Sequence, residues 1–208
     1  MKERLAIHPT HPQRRLIDKA AERLARGDLL VCPSDCTYTL VCAIDAKEAE
    51  RRLRRLRGVD ERHPLSLLCR DLQEISDFAV IGNAEHRILR ACTPGPYTFV
   101  LPATRDLPRR LRDPRRKAIG VRVCDHPVTA ALLETHGAPL VASTLTLPGE
   151  AWPLTDPDDI AERVGTQIDL LLDAGTCGPE FSTVVALENG VPELIRAGKG
   201  DLHPLGLA

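Results

Sequence analysis

The sequence predicts an α/β domain built on a twisted, open mixed sheet, and three observations carry that prediction. Apolar runs of strand length alternate with stretches of helical periodicity through most of the chain. Strand-like runs then cluster near the end, which breaks the alternation of an all-parallel sheet. No internal repeat, low-complexity tract or linker divides the 208 residues, so one domain is expected.

The first helix is expected over 12–26, where Leu16, Ile17, Ala20, Ala21 and Leu24 recur at helical spacing and Gly27 supplies a stop. Residues 29–32 read as a buried strand, broken by Pro33-Ser34-Asp35, and 38–44 read as a second. Asp45 with Glu48 forms a capping-box pattern. It precedes a helix with Ala46, Ala49, Leu53 and Leu56 on one face and an end near Gly58. A strand at 65–69 leads to a helix from about Leu72, and Asn83 is placed to cap another through Leu89. Residues 98–101 and 119–123 are strand-like and flank a basic loop. Pro127 opens a helix carrying Val128, Ala131 and Leu132; 140–143 is a strand and 156–164 a polar helix. Strands at 170–172, 183–187 and 193–195 complete the set.

Composition narrows the function classes. Hydrophobic residues make up 43% and charged residues 27%, both ordinary for a globular protein. Aromatics are only 3%, so the core must be aliphatic, and stacking platforms for single-stranded nucleic acid are disfavoured. No apolar run is long enough to span a bilayer, and Met1-Lys2-Glu3-Arg4-Leu5-Ala6 lacks the apolar core of a signal peptide. A cytoplasmic protein with no membrane partner is expected. The 7 cysteines are odd in number, form no C-x-x-C pair and sit mostly in apolar runs. They read as small buried residues in a reducing compartment, not as a zinc or disulfide framework, and no protein metal site is expected.

Formal net charge is −1, but the positive charge is clustered. Arg51, Arg52, Arg54, Arg55 and Arg57 crowd one segment, and Arg105, Arg109, Arg110, Arg112, Arg115, Arg116 and Lys117 another. Each is either a solvated face or a local anion-binding surface. The familiar catalytic patterns are missing: no phosphate-binding P-loop, no G-x-G-x-x-G after a strand, no H-E-x-x-H, no G-x-S-x-G. Pattern rules alone therefore stop at an α/β domain with basic clusters.

Five separated segments go further. Pro33-Ser34-Asp35-Cys36-Thr37-Tyr38-Thr39-Leu40 is similar to a P-T-[DE]-T-x-Y-G-L motif, and Thr93-Pro94-Gly95-Pro96-Tyr97-Thr98-Phe99-Val100-Leu101 to W-P-G-P-x-T-x-V-L. Gly120-Val121-Arg122-Val123-Cys124-Asp125-His126-Pro127 is similar to G-V-R-x-P-x-H-P, Ser182-Thr183-Val184-Val185 to S-T-V-V, and Arg196-Ala197-Gly198 to R-x-G. In this order the chain resembles the YrdC-like threonylcarbamoyl-AMP synthase family, and within it the YciO subgroup, over a domain at 9–200 with short extensions at both ends.

The resemblance implies a concave, positively charged cavity and a reaction that condenses L-threonine, bicarbonate and ATP into threonylcarbamoyl-AMP, on the way to a modified tRNA adenosine. Magnesium would accompany the ATP. It implies that Arg122 takes the threonine carboxylate, with Ser34 beside it. It implies nucleotide contacts from Arg57, Thr144, Thr146, Ser182 and Arg196. The synthases' K-x-R motif falls on Arg57 and Val59, and their S-x-N on Thr144 and Thr146, so one cation and one amide are replaced. Losing one preorganised donor costs roughly 100- to 1000-fold in rate. That leaves an alternative, a protein that binds double-stranded or structured RNA, or tRNA, without efficient catalysis. Arg109, Arg110, Arg115 and Arg116 are the candidates for such phosphate contacts.

Overall fold

The computed structural model describes residues 3–113 and 115–207. Ten strands form one sheet: β1 (Glu3–Ala6), β2 (Leu30–Cys32), β3 (Thr39–Ala43), β4 (Ser66–Leu68), β5 (Tyr97–Pro102), β6 (Ala118–Arg122), β7 (Leu140–Thr144), β8 (Leu170–Asp173), β9 (Thr183–Glu188) and β10 (Val191–Arg196). Their order across the sheet is β1-β8-β2-β3-β7-β4-β6-β5-β9-β10. Four neighbouring pairs are parallel (β1–β8, β2–β8, β4–β6, β5–β9) and the remainder antiparallel, the mixed open sheet that the sequence predicts.

Six helices accompany it: α1 (Arg14–Ala25), α2 (Lys47–Arg57), α3 (Leu72–Phe78), α4 (Asn83–Cys92), α5 (Pro127–His136) and α6 (Pro157–Val164). Strand alternation assigns each to a face. On one face Leu30, Val41, Leu68, Leu140 and Leu172 form a cluster with Ile17 and Leu24 of α1 and Val128 and Leu132 of α5. On the other, their chain neighbours Val31, Leu40, Leu67, Val141 and Leu171 join Leu53 and Leu56 of α2, Ile75 of α3, Leu89 of α4 and Ile160 of α6. Burying a Leu or Ile side chain is worth about 1.5–3 kcal/mol, so this two-sided aliphatic core supplies what the scarce aromatics do not.

Further along the α1/α5 face the side chains become small or polar. Ser66 pairs with Gly120, and Gly120 with Val100. A Cβ on Gly120 would lie 2.8 Å from Ser66 Oγ and 3.3 Å from Thr98 Cγ2, so the close approach there requires glycine.

Three expectations need correction. Asn83 does not cap a helix ending at Leu89: it is the first residue of α4, which runs to Cys92 with Gly82 as its N-cap and no side-chain bond. The strand β1 is an edge strand paired with β8, although it precedes residue 9; four residues of alternating exposure are too short to stand out by pattern. Asp45 and Glu48 do not cap α2: its N-cap is Ala46 without a side-chain bond, and Glu48 pairs with Arg51 instead. Asp71 and Asp156, in contrast, cap α3 and α6 through their carboxylates.

Candidate functional site

The loop between β2 and β3 folds into a tight turn around Ser34. The Ser34 hydroxyl donates to the Thr37 carbonyl (2.6 Å) and accepts from the Cys36 and Thr37 N–H groups (3.2 Å each). Its role is therefore to shape the loop, and that shape sends Asp35 toward the end of β6. There the Asp35 carboxylate pairs with Arg122 and accepts from the Asp125 backbone N–H at 3.0 Å. The Arg122 guanidinium also donates to Cys36 Sγ at 3.1 Å, and Cys124 Sγ–H points to Asp35 at 3.3 Å.

Arg122 is thus buried and already engaged with a carboxylate of its own chain, which corrects the expectation of a free bidentate cation. Burial pulls its guanidinium pKa down, but Cys124, Asp35 and Cys36 together hold it above the ordinary value. Its Nε is buried with no hydrogen-bond partner among the described residues. Burial pushes the Cys36 thiol up, with Arg122 only partly opposing, so Cys36 is a protonated lining group and not a nucleophile.

Lys199 locks the same loop from the other side, donating from Nζ to the Asp35 carbonyl at 2.6 Å. It can do so because the chain after β10 lies flat on 181–183. A Cβ on Gly198 would sit 2.4 Å from the Phe181 carbonyl oxygen, and the Gly198 N–H reaches Thr183 Oγ1 at 3.1 Å. Arg196 is held by this arrangement. It donates to the Ser182 carbonyl at 3.0 Å and lies over the Phe181 ring, 4.8 Å from its centroid. Ser182 Oγ in turn meets Thr98 Oγ1 at 2.9 Å.

Arg57, in the last turn of α2, approaches from the end of β7. Its Nε donates to Ser143 Oγ at 3.1 Å, and its Nη1 to the Thr146 carbonyl. The left-handed Gly58 ends the helix there, so Arg57 projects past the helix end. Thr144 receives the Thr146 N–H on its backbone carbonyl (2.9 Å), while the Thr146 hydroxyl is buried with no partner among the described residues.

Arg57 is half-buried and Arg196 is exposed at the end of β10, and neither forms an ion pair among the described residues. Burial lowers the pKa of Arg57, and the charge of Arg196 lowers it further. Burial likewise lowers Arg196, with Cys36 opposing and Arg122 adding to the effect. The positive field of these guanidiniums is uncompensated except by Asp35 on Arg122. With donors from Ser182 and Thr146 alongside, the arrangement suits an oxyanion-rich ligand.

Of the residues that the resemblance places at the site, Arg57, Thr146, Ser182, Arg196 and Arg122 converge here. Sequence reasoning missed Asp35, Thr98, Ser143 and Lys199, which hold the others. Asp35 and Thr98 lie inside quoted motifs, and their proximity in space is what the sequence did not display.

The second basic cluster behaves differently. Arg110 is engaged: its Nε donates to Glu50 at 2.7 Å and its guanidinium also reaches the Ile44 carbonyl, so it is not the free phosphate ligand expected. Arg109, Arg115 and Arg116 are exposed. The seven cysteines are all free thiols, six of them buried.

Comparison with known proteins agrees with the fold. A family model, Sua5_yciO_yrdC, described as "Telomere recombination", matches residues 22–198. The chain is 40% identical over 198 residues to the uncharacterized protein YciO of Escherichia coli (strain K12), covering 95% of this chain and 96% of that one. The crystal structure of E. coli YciO superposes with a TM-score of 0.94, covering 99% of this chain and 100% of the other. A threonylcarbamoyl-AMP synthase of Halorhodospira halophila is 32% identical over 167 residues, 80% of this chain and 86% of its own length. The fold is also that of P. abyssi Sua5, with a TM-score of 0.85 at 24% identity; this chain covers 94% of its own length and 57% of that protein.

Proposed function

The chain belongs to the Sua5/YciO/YrdC family, and from that premise we propose that it binds ATP and L-threonine at this site and forms threonylcarbamoyl-AMP at a low rate. The observation that carries the reading is the pair Arg57 and Arg196, one half-buried and one exposed, electrostatic neighbours with no carboxylate on either among the described residues. Two neighbouring guanidiniums repel each other, and an incoming polyphosphate offsets that repulsion with charge-assisted hydrogen bonds. The relationship to a named threonylcarbamoyl-AMP synthase supports this reading, and a protein of the same fold, P. abyssi Sua5, has been crystallised with L-threonine.

In this reaction the threonine amine nitrogen bonds to the carbon of bicarbonate and water leaves, giving a carbamate. Its oxygen forms a bond to the α-phosphorus of ATP as the bond from that phosphorus to the bridging oxygen breaks, and the electron pair leaves with pyrophosphate. Charge develops on the phosphoryl oxygens, where Arg57 and Arg196 stand as fixed positive groups. Magnesium would arrive on the triphosphate. Arg122 receives the amino-acid carboxylate in exchange for part of its contact with Asp35. The low rate follows from Val59 and Thr146, which stand where the synthases have a cation and an amide. The product would feed tRNA adenosine modification.

Pyrophosphate release is measured with ATP, bicarbonate and threonine. The expected result is slow release that depends on threonine and is lost in Arg122→Ala, with that variant retaining its cooperative melt. Threonine-independent release, or none with ATP bound, overturns the synthase reading.

A further inference from the structure

A second recessed site, which Arg57 does not line, lies along α2 from its first turn to Arg54, between that helix and the 3-10 turn Arg109–Leu111. The cavity is about 340 Å³, a size that suits a small ligand. Seven of its nine lining residues are basic and two acidic.

Its floor is fixed. Glu50 is buried and spends both carboxylate oxygens, one on Arg54 (3.0 Å) and one on Arg110 (2.7 Å). Arg54 is further tied to the Asp60 and His63 carbonyls at 3.0 and 2.8 Å. Those cations are satisfied and form a rigid wall.

The rim is not satisfied. Lys47, Arg62 and Arg109 are exposed, and their side chains make no hydrogen bond or ion pair among the described residues. Arg112 donates from its guanidinium to the Thr104 carbonyl at 2.6 Å, but its Nε is buried with no hydrogen-bond partner among the described residues. Glu61 is the one acidic group of the lining that remains beside them. The N-terminus of α2 opens on the same cavity with no side-chain cap, adding its partial positive charge.

We propose that this cavity is a second anion site, which takes a compact polyphosphate or a phosphorylated small molecule and is separate from the Arg57–Arg196 site. Arg57 is ten residues from Lys47 on α2, about 15 Å along the helix axis. A compact polyanion fits better than a nucleic-acid duplex, because the free cations ring one recess and do not extend as a stripe. Arg115 and Arg116, the exposed arginines that a duplex would also need, are outside the lining.

The test is calorimetric titration of the full chain with inorganic tripolyphosphate, in the wild type and in Lys47→Ala/Arg62→Ala/Arg109→Ala. The three positions are exposed, so the melting temperature should not move. The expected result is loss of one binding equivalent in the triple variant, whatever the Arg57–Arg196 site contributes. Arg196→Met should leave that equivalent in place. An unchanged stoichiometry in the triple variant overturns the proposal. So does a triple variant that loses affinity for a duplex RNA while the wild type binds no tripolyphosphate at this site, since that outcome assigns the rim to RNA.

Discussion

Arg54 and Arg57 sit one turn apart on α2 and have opposite fates. Arg54 is buried against Glu50 and two loop carbonyls, so its charge is cancelled in place. Arg57 has a hydroxyl and a carbonyl for partners, no carboxylate, and a second guanidinium, Arg196, as its electrostatic neighbour. The first arrangement fastens α2 to the 60–63 loop and to Arg110. The second leaves a charge that only a ligand can neutralise. A run of arginines in a sequence is therefore not one surface: each residue acquires its role from what the fold brings to it.

The largest effect expected from this contrast is on stability. Arg54→Met leaves the buried Glu50 carboxylate with one cation where it had two, and breaking a buried pair costs about 3–5 kcal/mol. Denaturant unfolding should show a loss near the lower end of that range, since Arg110 remains. Arg57→Met should cost little or be neutral by the same measurement. Equal losses at the two positions would erase the distinction.

A gain of activity is the next in size. Val59→Arg with Thr146→Asn restores a cation and an amide beside Arg57, and the Thr146 hydroxyl is buried and unpartnered as it stands. One aligned donor contributes up to about 3–4 kcal/mol at a transition state, so threonine-dependent pyrophosphate release should rise well above the parent rate. No gain in a folded double variant would place the defect elsewhere in the site.

Much of this architecture was legible in the sequence. The mixed α/β sheet followed from apolar periodicity, and α1, α2 and α5 lie close to their expected positions because their apolar faces and their Gly or Pro punctuation are local signals. The edge strand β1 was missed because its pairing with β8 joins residues over 160 apart, and nothing in Glu3–Ala6 itself announces it. The resemblance named Arg57, Arg122, Ser182 and Arg196, which the fold brings near one another. It did not show that Ser34 is consumed in its own turn, that Asp35 occupies Arg122, or that Arg110 is tied to Glu50. Those facts are contacts between segments, and spacing along a chain carries no record of them.

The smallest expected effect concerns RNA. If duplex RNA is retained by the chain at all, neutralising Arg109, Arg115 and Arg116, with Arg110 left in its ion pair, should flatten the salt dependence of that retention by about 0.9 per lost phosphate contact, on the behaviour of B-DNA. Filter binding across a salt series measures the slope, and an unchanged slope assigns these arginines to solubility.

The account turns on the uncompensated pair Arg57 and Arg196. Titration calorimetry with magnesium-ATP, on the wild type and on Arg57→Met/Arg196→Met, tests it most directly. A hydrogen bond to a charged group contributes about 1.5–3 kcal/mol, so each lost guanidinium should weaken ATP about 10- to 150-fold, with the melting temperature unchanged or higher. A folded double variant that binds ATP as tightly as the wild type would contradict the account.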